Sequence, residues 1–123
     1  MAQIESYQDL DVWQLALMLA EQCYKLTKLF PRDELYGLTS QIRRSAVSIP
    51  ANIAEGYGRD QTGSFVQFLR ISQGSARELE THLLLATRLG IADAEQVAPC
   101  SEKVVRVSKM LRALIRNLDE RKS

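Results

Sequence analysis

The sequence predicts an all-α fold, an antiparallel up-down-up-down four-helix bundle. Three observations carry this reading. Four segments repeat apolar residues at three- and four-residue steps. Each is bounded by a proline, a glycine or a capping residue. The connections between them are short, so successive helices should pack as antiparallel neighbours.

The first helix is expected over about residues 9–29. Val12, Leu15, Ala16, Leu19, Cys23, Leu26 and Phe30 share one face. Asp9 is a candidate N-cap, and Pro31 ends the run because the residue before proline avoids the α region. The second helix spans about 35–55, with its stripe at Leu38, Ile42, Ser45, Ala46, Ile49 and Ile53. Pro50 lies inside that stripe and removes a hydrogen bond to the carbonyl of Ala46. Either the helix kinks there, or it stops at Ser48 and restarts after Pro50. Gly56, Gly58 and Gly63 then read as a loop.

The third helix covers about 62–89, from a Thr62 cap to Gly90 as the residue just past its end. Phe65, Phe68, Leu69, Ser72, Ala76, Leu79, Leu83 and Ala86 make its inward stripe. Gly74 would join Ser72, Ser75 and Ala76 in a small-residue patch suited to close packing. The fourth helix covers about 93–119 and opens on an Asp93/Gln96 capping pair. Val97, Cys100, Val104, Val107, Leu111, Leu114, Ile115 and Leu118 face inward. Pro99 either kinks its first turns or moves its start to about Ala98. Residues 120–123 read as a frayed tail.

A chain of 123 residues is one domain by length and can bury a core without metal or disulfide. Its formal net charge of +1 implies no partner by itself. The distribution is uneven: residues 1–60 hold six Lys/Arg against eight Asp/Glu, and residues 61–123 hold ten against seven. Cys23 and Cys100 lack the spacing of a disulfide framework and read as buried thiols, with a redox role the alternative. The polar start lacks the basic and apolar regions of a signal peptide. The longest apolar run, Leu15–Ala20, falls far short of a membrane span. A soluble cytoplasmic protein without membrane partners is expected.

Surfaces left over after core filling point to partners. Trp13, Leu17, Ala20 and Tyr24 repeat beside the main stripe of the first helix. Ile71, Leu85 and Leu89 do so on the third. Surplus apolar surface of this kind predicts a homo-oligomer. Lys103, Arg106, Lys109, Arg112 and Arg116 are the only charges of the fourth helix between 103 and 118. Such a stripe suits RNA or DNA phosphates, although a solvated helix face has the same composition. No aromatic residues interleave with these cations, so base stacking is not indicated.

No catalytic site is legible. The only histidine, His82, lacks the Glu-x-x-His partner of a di-iron bundle, because residue 79 is leucine. No nucleophile–base arrangement forms around it. The three glycines follow a helix and precede no Lys-Ser/Thr, which argues against a phosphate loop. No cofactor or metal is expected. The densest polar run, Gln41 to Arg59, suggests a structural or interface network of Glu55, Asn52 and Arg44 rather than a ligand site, and a partly buried Glu55 would need a cationic partner. Arg43, Arg44, Arg59 and Arg77 are the candidate partners.

Several segments also carry a resemblance. Tyr7-Gln-Asp-Leu-Asp-Val-Trp13, Phe30-Pro31, Leu38-Thr-Ser-Gln-Ile-Arg-Arg44, Ser48-Ile-Pro-Ala-Asn-Ile-Ala-Glu-Gly-Tyr-Gly58, Phe68-Leu-Arg-Ile71, Gly74-Ser75 and Glu78-Leu79-Glu80 occur in order. Together they resemble the bacterial four helix bundle protein family. That family includes proteins encoded by intervening sequences of large-subunit ribosomal RNA genes, also described as ribosomal-type proteins. Accessory variability proteins of diversity-generating retroelements are related to it. The resemblance implies a ring-shaped oligomer, a pentamer, and a nucleic-acid role on a basic surface, with no catalytic residues to transfer. The expected function is therefore a non-enzymatic, self-associating RNA- or DNA-binding accessory protein. Arg43, Arg44, Arg59, Arg70 and Arg77 join the basic stripe as candidate contacts. The alternative is a protein–protein adaptor or scaffold.

Overall fold

A computed structural model describes residues 3–122. Four helices fill it: α1 (Asp11–Thr27), α2 (Leu38–Tyr57), α3 (Thr62–Arg88) and α4 (Ala94–Lys122). Single 3₁₀ turns precede α1 at Tyr7–Asp9 and α2 at Arg32–Glu34, and there is no strand among the described residues. Each helix packs on its neighbours in sequence and α4 closes back on α1, while the diagonal pairs make no close backbone contact. This is the predicted four-helix bundle.

The predicted stripes supply the core. Leu19, Ile42, Ile49, Ile53, Leu69, Leu79, Leu83, Val104, Val107 and Leu111 are fully enclosed. Val66 and Ala92, which no stripe included, are buried as well. The alternation of three- and four-residue steps keeps one face of each helix turned to the bundle axis.

Helix ends follow local chemistry, with departures from expectation. Asp9 does not cap α1. Its carboxylate accepts from the Glu5 and Ser6 amides at 2.9 and 3.1 Å, closing the preceding turn instead. α1 starts after Leu10 without a side-chain cap. The Leu38 amide at the start of α2 donates to Glu34 Oε1 at 3.0 Å, a carboxylate set at the positive end of the helix. Thr62 is the first residue of α3 rather than its cap. Gly90, at φ +73°, ends α3 as predicted. The Gly90 amide donates to the Thr87 carbonyl and the Ile91 amide to that of Ala86, the paired bonds of a Schellman motif. Asp93 and Gln96 exchange side-chain and backbone bonds of 3.0 and 2.8 Å at the head of α4.

Both internal prolines lie within continuous helix: α2 runs through Pro50 and α4 through Pro99. Gly56 belongs to α2 and not to the loop. The residues expected to fray, 120–122, continue α4, and Ser123 lies outside the described residues, as do Met1 and Ala2.

Small residues draw α2 and α3 together. The Ser72 hydroxyl donates to the Ile49 carbonyl at 2.9 Å inside the core, and Ser75 bonds to Ser48 at 2.8 Å. Gly74 takes no part, because a β-carbon there would meet nothing within 4 Å. The patch that packs is Ser72, Ser75, Ala76 and, from α2, Gly56. The reason is angular. Residue 74 lies two steps from both 72 and 76, on the opposite side of the helix.

Candidate nucleic-acid interface

The groove between α3 and α4 gathers the basic side chains that the fold brings together. Arg70, Gln73 and Arg77 follow at steps of three and four along α3. Arg112 and Arg116 lie four apart on the facing side of α4. With Ile115, Asp119 and Glu120 they line an open cavity of about 540 Å³. Antiparallel packing sets the early part of α3 beside the late part of α4, which pairs residues remote in sequence. A smaller recess of about 250 Å³ continues along the groove between Gln73, Arg77, Glu80, Ser108 and Arg112.

Arg70 meets Asp119 at 3.4 Å, with both side chains about half exposed. An exposed pair of this length constrains the guanidinium weakly. Arg77, Arg112 and Arg116 have no ion-pair partner among the described residues. Their forked donors can bind oxyanions bidentately. Gln73 and Ser108 add neutral donors that the sequence reading missed. The available signal was their helical spacing from Arg77 and Arg112.

The remaining predicted cations do not join this groove. Arg43 is half buried between α1 and α2, where its Nε donates to Thr27 Oγ1 at 2.8 Å and its guanidinium lies 4.6 Å from the centre of the Tyr24 ring. Arg44 pairs with Glu78 at 2.6 Å and with Gln41. Arg59 pairs with Glu55 at 2.8 Å and stands 5.0 Å from the Phe68 ring centre. Arg106 and Lys109 are exposed on the outer face of α4, whereas half-buried Lys103 acts electrostatically on Cys100, at the α1–α4 seam. The α4 stripe therefore spreads around the helix, and only its last two members reach the groove.

The proposed network of Glu55, Asn52 and Arg44 resolves into three separate interactions. Glu55 is exposed and pairs with Arg59, two residues past the end of α2. Asn52 donates to the Ser48 carbonyl and hydroxyl at 2.8 and 3.0 Å. Arg44 reaches across to α3. The connected polar chain is Asn52–Ser48–Ser75, which seals the α2–α3 seam.

The apolar stripe of α1 is also divided. Ala20 is buried in the core, so it is not part of an outer face. Trp13 packs against the core and edge-on to Tyr7, with ring centres 5.2 Å apart. Leu17 and Tyr24 remain about two-fifths exposed, and Val47 of α2 is exposed to the same degree. Val47 follows Arg43 by one helical turn, which puts it on the same α1-facing side of α2. Ile71, Leu85 and Leu89 are exposed as expected. So are Leu84 and Val105, which line the other half of the α3–α4 groove in a cavity of about 570 Å³.

No helix among the described residues is long and apolar enough to cross a membrane. Among them, no three His, Cys, Asp or Glu side chains converge as a metal site would require. His82 is half buried, and its Nδ1 has no hydrogen-bond partner.

Comparison with known proteins returned no match among curated proteins. One similar solved structure is described as a protein with unknown function from the S23 ribosomal protein family, from Bacteroides thetaiotaomicron VPI-5482. It is 28% identical, superposes with a TM-score of 0.78, and the match covers 85% of this chain and 97% of that one. The profile of the family described as "23S rRNA-intervening sequence protein" matches residues 8–113, which span all of α1, α2 and α3 and most of α4. The chain therefore belongs to the 23S rRNA-intervening sequence protein family.

Proposed function

We propose that this chain is a non-enzymatic, self-associating bundle that binds RNA or DNA through the phosphate backbone, in the α3–α4 groove. One observation carries the reading. Arg70, Arg77, Arg112 and Arg116 converge from two helices on one groove, and three of them lack an ion-pair partner among the described residues. Phosphate contacts of this kind are independent of sequence and rest on counterion release. The groove carries no exposed aromatic ring for stacking, so backbone recognition is favoured over base recognition.

Self-association is supported by Leu17, Tyr24 and Val47, exposed along the α1–α2 side of the bundle. A closed ring, five subunits by the family resemblance, would repeat the basic groove and strengthen its field beyond what the net charge suggests. The cytoplasm is the proposed compartment, because two free, buried thiols suit a reducing environment.

Filter binding of RNA and of duplex DNA over a salt series tests the reading. Log affinity should fall linearly with log salt, and Arg112→Ala with Arg116→Ala should flatten that line. A protein that captures neither nucleic acid at low salt refutes it. The second reading is a protein adaptor. It is favoured by Leu84 and Val105 in the same groove, where an apolar side chain of another polypeptide could anchor.

A further inference from the structure

We propose that the cavity where the α1–α2 connection meets the start of α2 is a nucleotide site. It takes a nucleoside 5′-monophosphate, with the phosphate on Arg43, Thr39 and Ser40 and the base on Tyr36. The α3–α4 groove uses none of these residues, so the inference stands apart from the nucleic-acid reading.

Local geometry brings the residues together. Thr39, Ser40, Arg43 and Arg44 lie in the first two turns of α2, three to five residues apart across the pairs, and so share one side of the helix. Tyr36 lies three residues ahead of Thr39, in the connection. With Tyr24 of α1 and Leu35 they surround an open cavity of about 410 Å³. Small-molecule sites occupy about 300–1,000 Å³.

Arg43 is held in place without a ligand. Its Nε donates to Thr27 Oγ1 at 2.8 Å, and its guanidinium carbon lies 4.6 Å from the Tyr24 ring centre. These contacts fix the plane of the group. They leave its two terminal amino groups without a partner among the described residues. The fork is preorganised for two oxygens of an anion.

Thr39 is the independent sign of a ligand. It is only 4% exposed, yet its hydroxyl has no hydrogen-bond partner among the described residues. That oxygen is not sealed off either. The fully enclosed, unpartnered side-chain polar atoms among the described residues are Gln22 Oε1 and His82 Nδ1. The sliver of surface that Thr39 keeps opens on the cavity it lines. A buried hydroxyl is normally bonded, so one left open toward a cavity marks the place of a ligand atom. The Ser40 hydroxyl stands beside it at the positive end of α2. Two of the lining side chains are cationic and none is acidic. Glu34 holds the Leu38 amide and Glu78 holds Arg44, and neither carboxylate lines the cavity.

The donors select the ligand class. The Arg43 fork takes two oxygens, and the hydroxyls of Thr39 and Ser40 call for a third. A carboxylate or an internal phosphodiester has two free oxygens, whereas a phosphate monoester has three. Beside the anion site stands Tyr36, 92% exposed and without a ring partner among the described residues. An unshielded ring is a platform on which a nucleobase can stack. A terminal phosphate joined to a flat base is a nucleotide, either free or at the 5′ end of a strand.

Calorimetric titration of the full chain tests the site, with adenosine 5′-monophosphate, ribose 5-phosphate and adenosine as probes. The monophosphate should bind at least roughly tenfold more tightly than either fragment. Tyr36→Ala changes an exposed residue and should leave the fold intact. It should weaken the monophosphate roughly tenfold and leave ribose 5-phosphate unchanged. Thr39→Val keeps the side-chain shape and should weaken both phosphates roughly tenfold. A tetranucleotide with a 5′-phosphate that displaces the monophosphate supports the site and assigns it to strand ends. If that strand fails to compete while the monophosphate binds, the site is supported for free nucleotides. Arg43→Ala should abolish nucleotide binding without moving the salt slope of hydroxyl-ended strands, so this reading and the groove reading fail separately. The proposal is overturned by the absence of heat with the monophosphate up to about 5 mM at low salt. It is equally overturned if adenosine binds as well as the monophosphate, if Tyr36→Ala binds like wild type, or if a 5′-hydroxyl tetranucleotide competes.

Discussion

Gly56 faces Phe68 across the α2–α3 seam so closely that a β-carbon on residue 56 would stand 2.6 Å from Phe68 Cβ. Phe65 lies on the same side, with its Cδ1 3.0 Å and its carbonyl oxygen 3.2 Å from that position. The Phe68 β-carbon and the Phe65 carbonyl are fixed to the α3 backbone, so neither can swing aside as the Phe65 ring could. Gly56→Ala should destabilise the fold by about 1–3 kcal/mol. Gly74→Ala is expected to have the opposite sign, adding about 0.5–1 kcal/mol, because the site is open and helical. Urea midpoints of the two variants against wild type give both signs in one experiment.

Ser72 is fully buried and its hydroxyl reaches the Ile49 carbonyl, one residue before Pro50. Ser72→Ala removes one neutral hydrogen bond and leaves a small void. A loss of about 1 kcal/mol is expected in chemical denaturation. A larger apolar side chain at this position should destabilise more, since the helices cannot separate there without opening the Gly56 contact.

Arg112→Ala combined with Arg116→Ala should lower the slope of log affinity against log salt by about 2, one for each lost phosphate contact. Arg43→Ala is the informative control. Its guanidinium is committed to Thr27 and Tyr24 within the subunit. That variant should leave the slope unchanged and lower the melting temperature instead.

Leu17→Asp and Val47→Asp should each reduce the particle mass seen by light scattering while the helical circular dichroism stays intact. Trp13→Asp is a poorer probe, because Trp13 packs against Tyr7 and the core, so it should unfold the chain outright. A wild type that scatters as a monomer at all concentrations contradicts the self-association reading.

Stability should also depend on pH through Cys23. Its folded pKa is raised, first by the hydrogen bond to Cys100 and then by burial. The unfolded chain ionises this thiol near the ordinary value of about 8.5, whereas the folded chain keeps the proton. The contribution is fully present below that pH and is lost as pH rises above it, with a slope of about 1.4 kcal/mol per pH unit. Urea titrations under reductant above pH 9 should show this decline in wild type and a shallower one in Cys23→Ala.

The candidate site was only partly legible in advance. Arg112 and Arg116 stood out as charges on an amphipathic helix, but their partners Arg70 and Arg77 lie more than thirty residues away. Nothing local says which helix faces them. Arg43 and Arg59 were equally good candidates by composition. They were removed from the site by Tyr24, Thr27, Phe68 and Glu55, supplied by packing or, for Glu55, by the last turn of α2. Asn52 and Glu55 belong to one dense polar run, yet one turns toward Ser48 and the other toward solvent.

Taken alone, the order of residues determined the four helices, their inward faces and the stop at Gly90. Periodicity, proline restriction and capping act over a few residues and require no knowledge of what lies across the core. Tertiary packing decided that Gly56 is a contact and Gly74 an open position, that Ala20 faces inward, and that Arg70 and Arg77 share a groove with Arg112 and Arg116. Those outcomes depend on how far apart two helix axes settle and on the rotation of each about its own axis. Both are set by many side chains at once, from segments the chain itself does not place side by side.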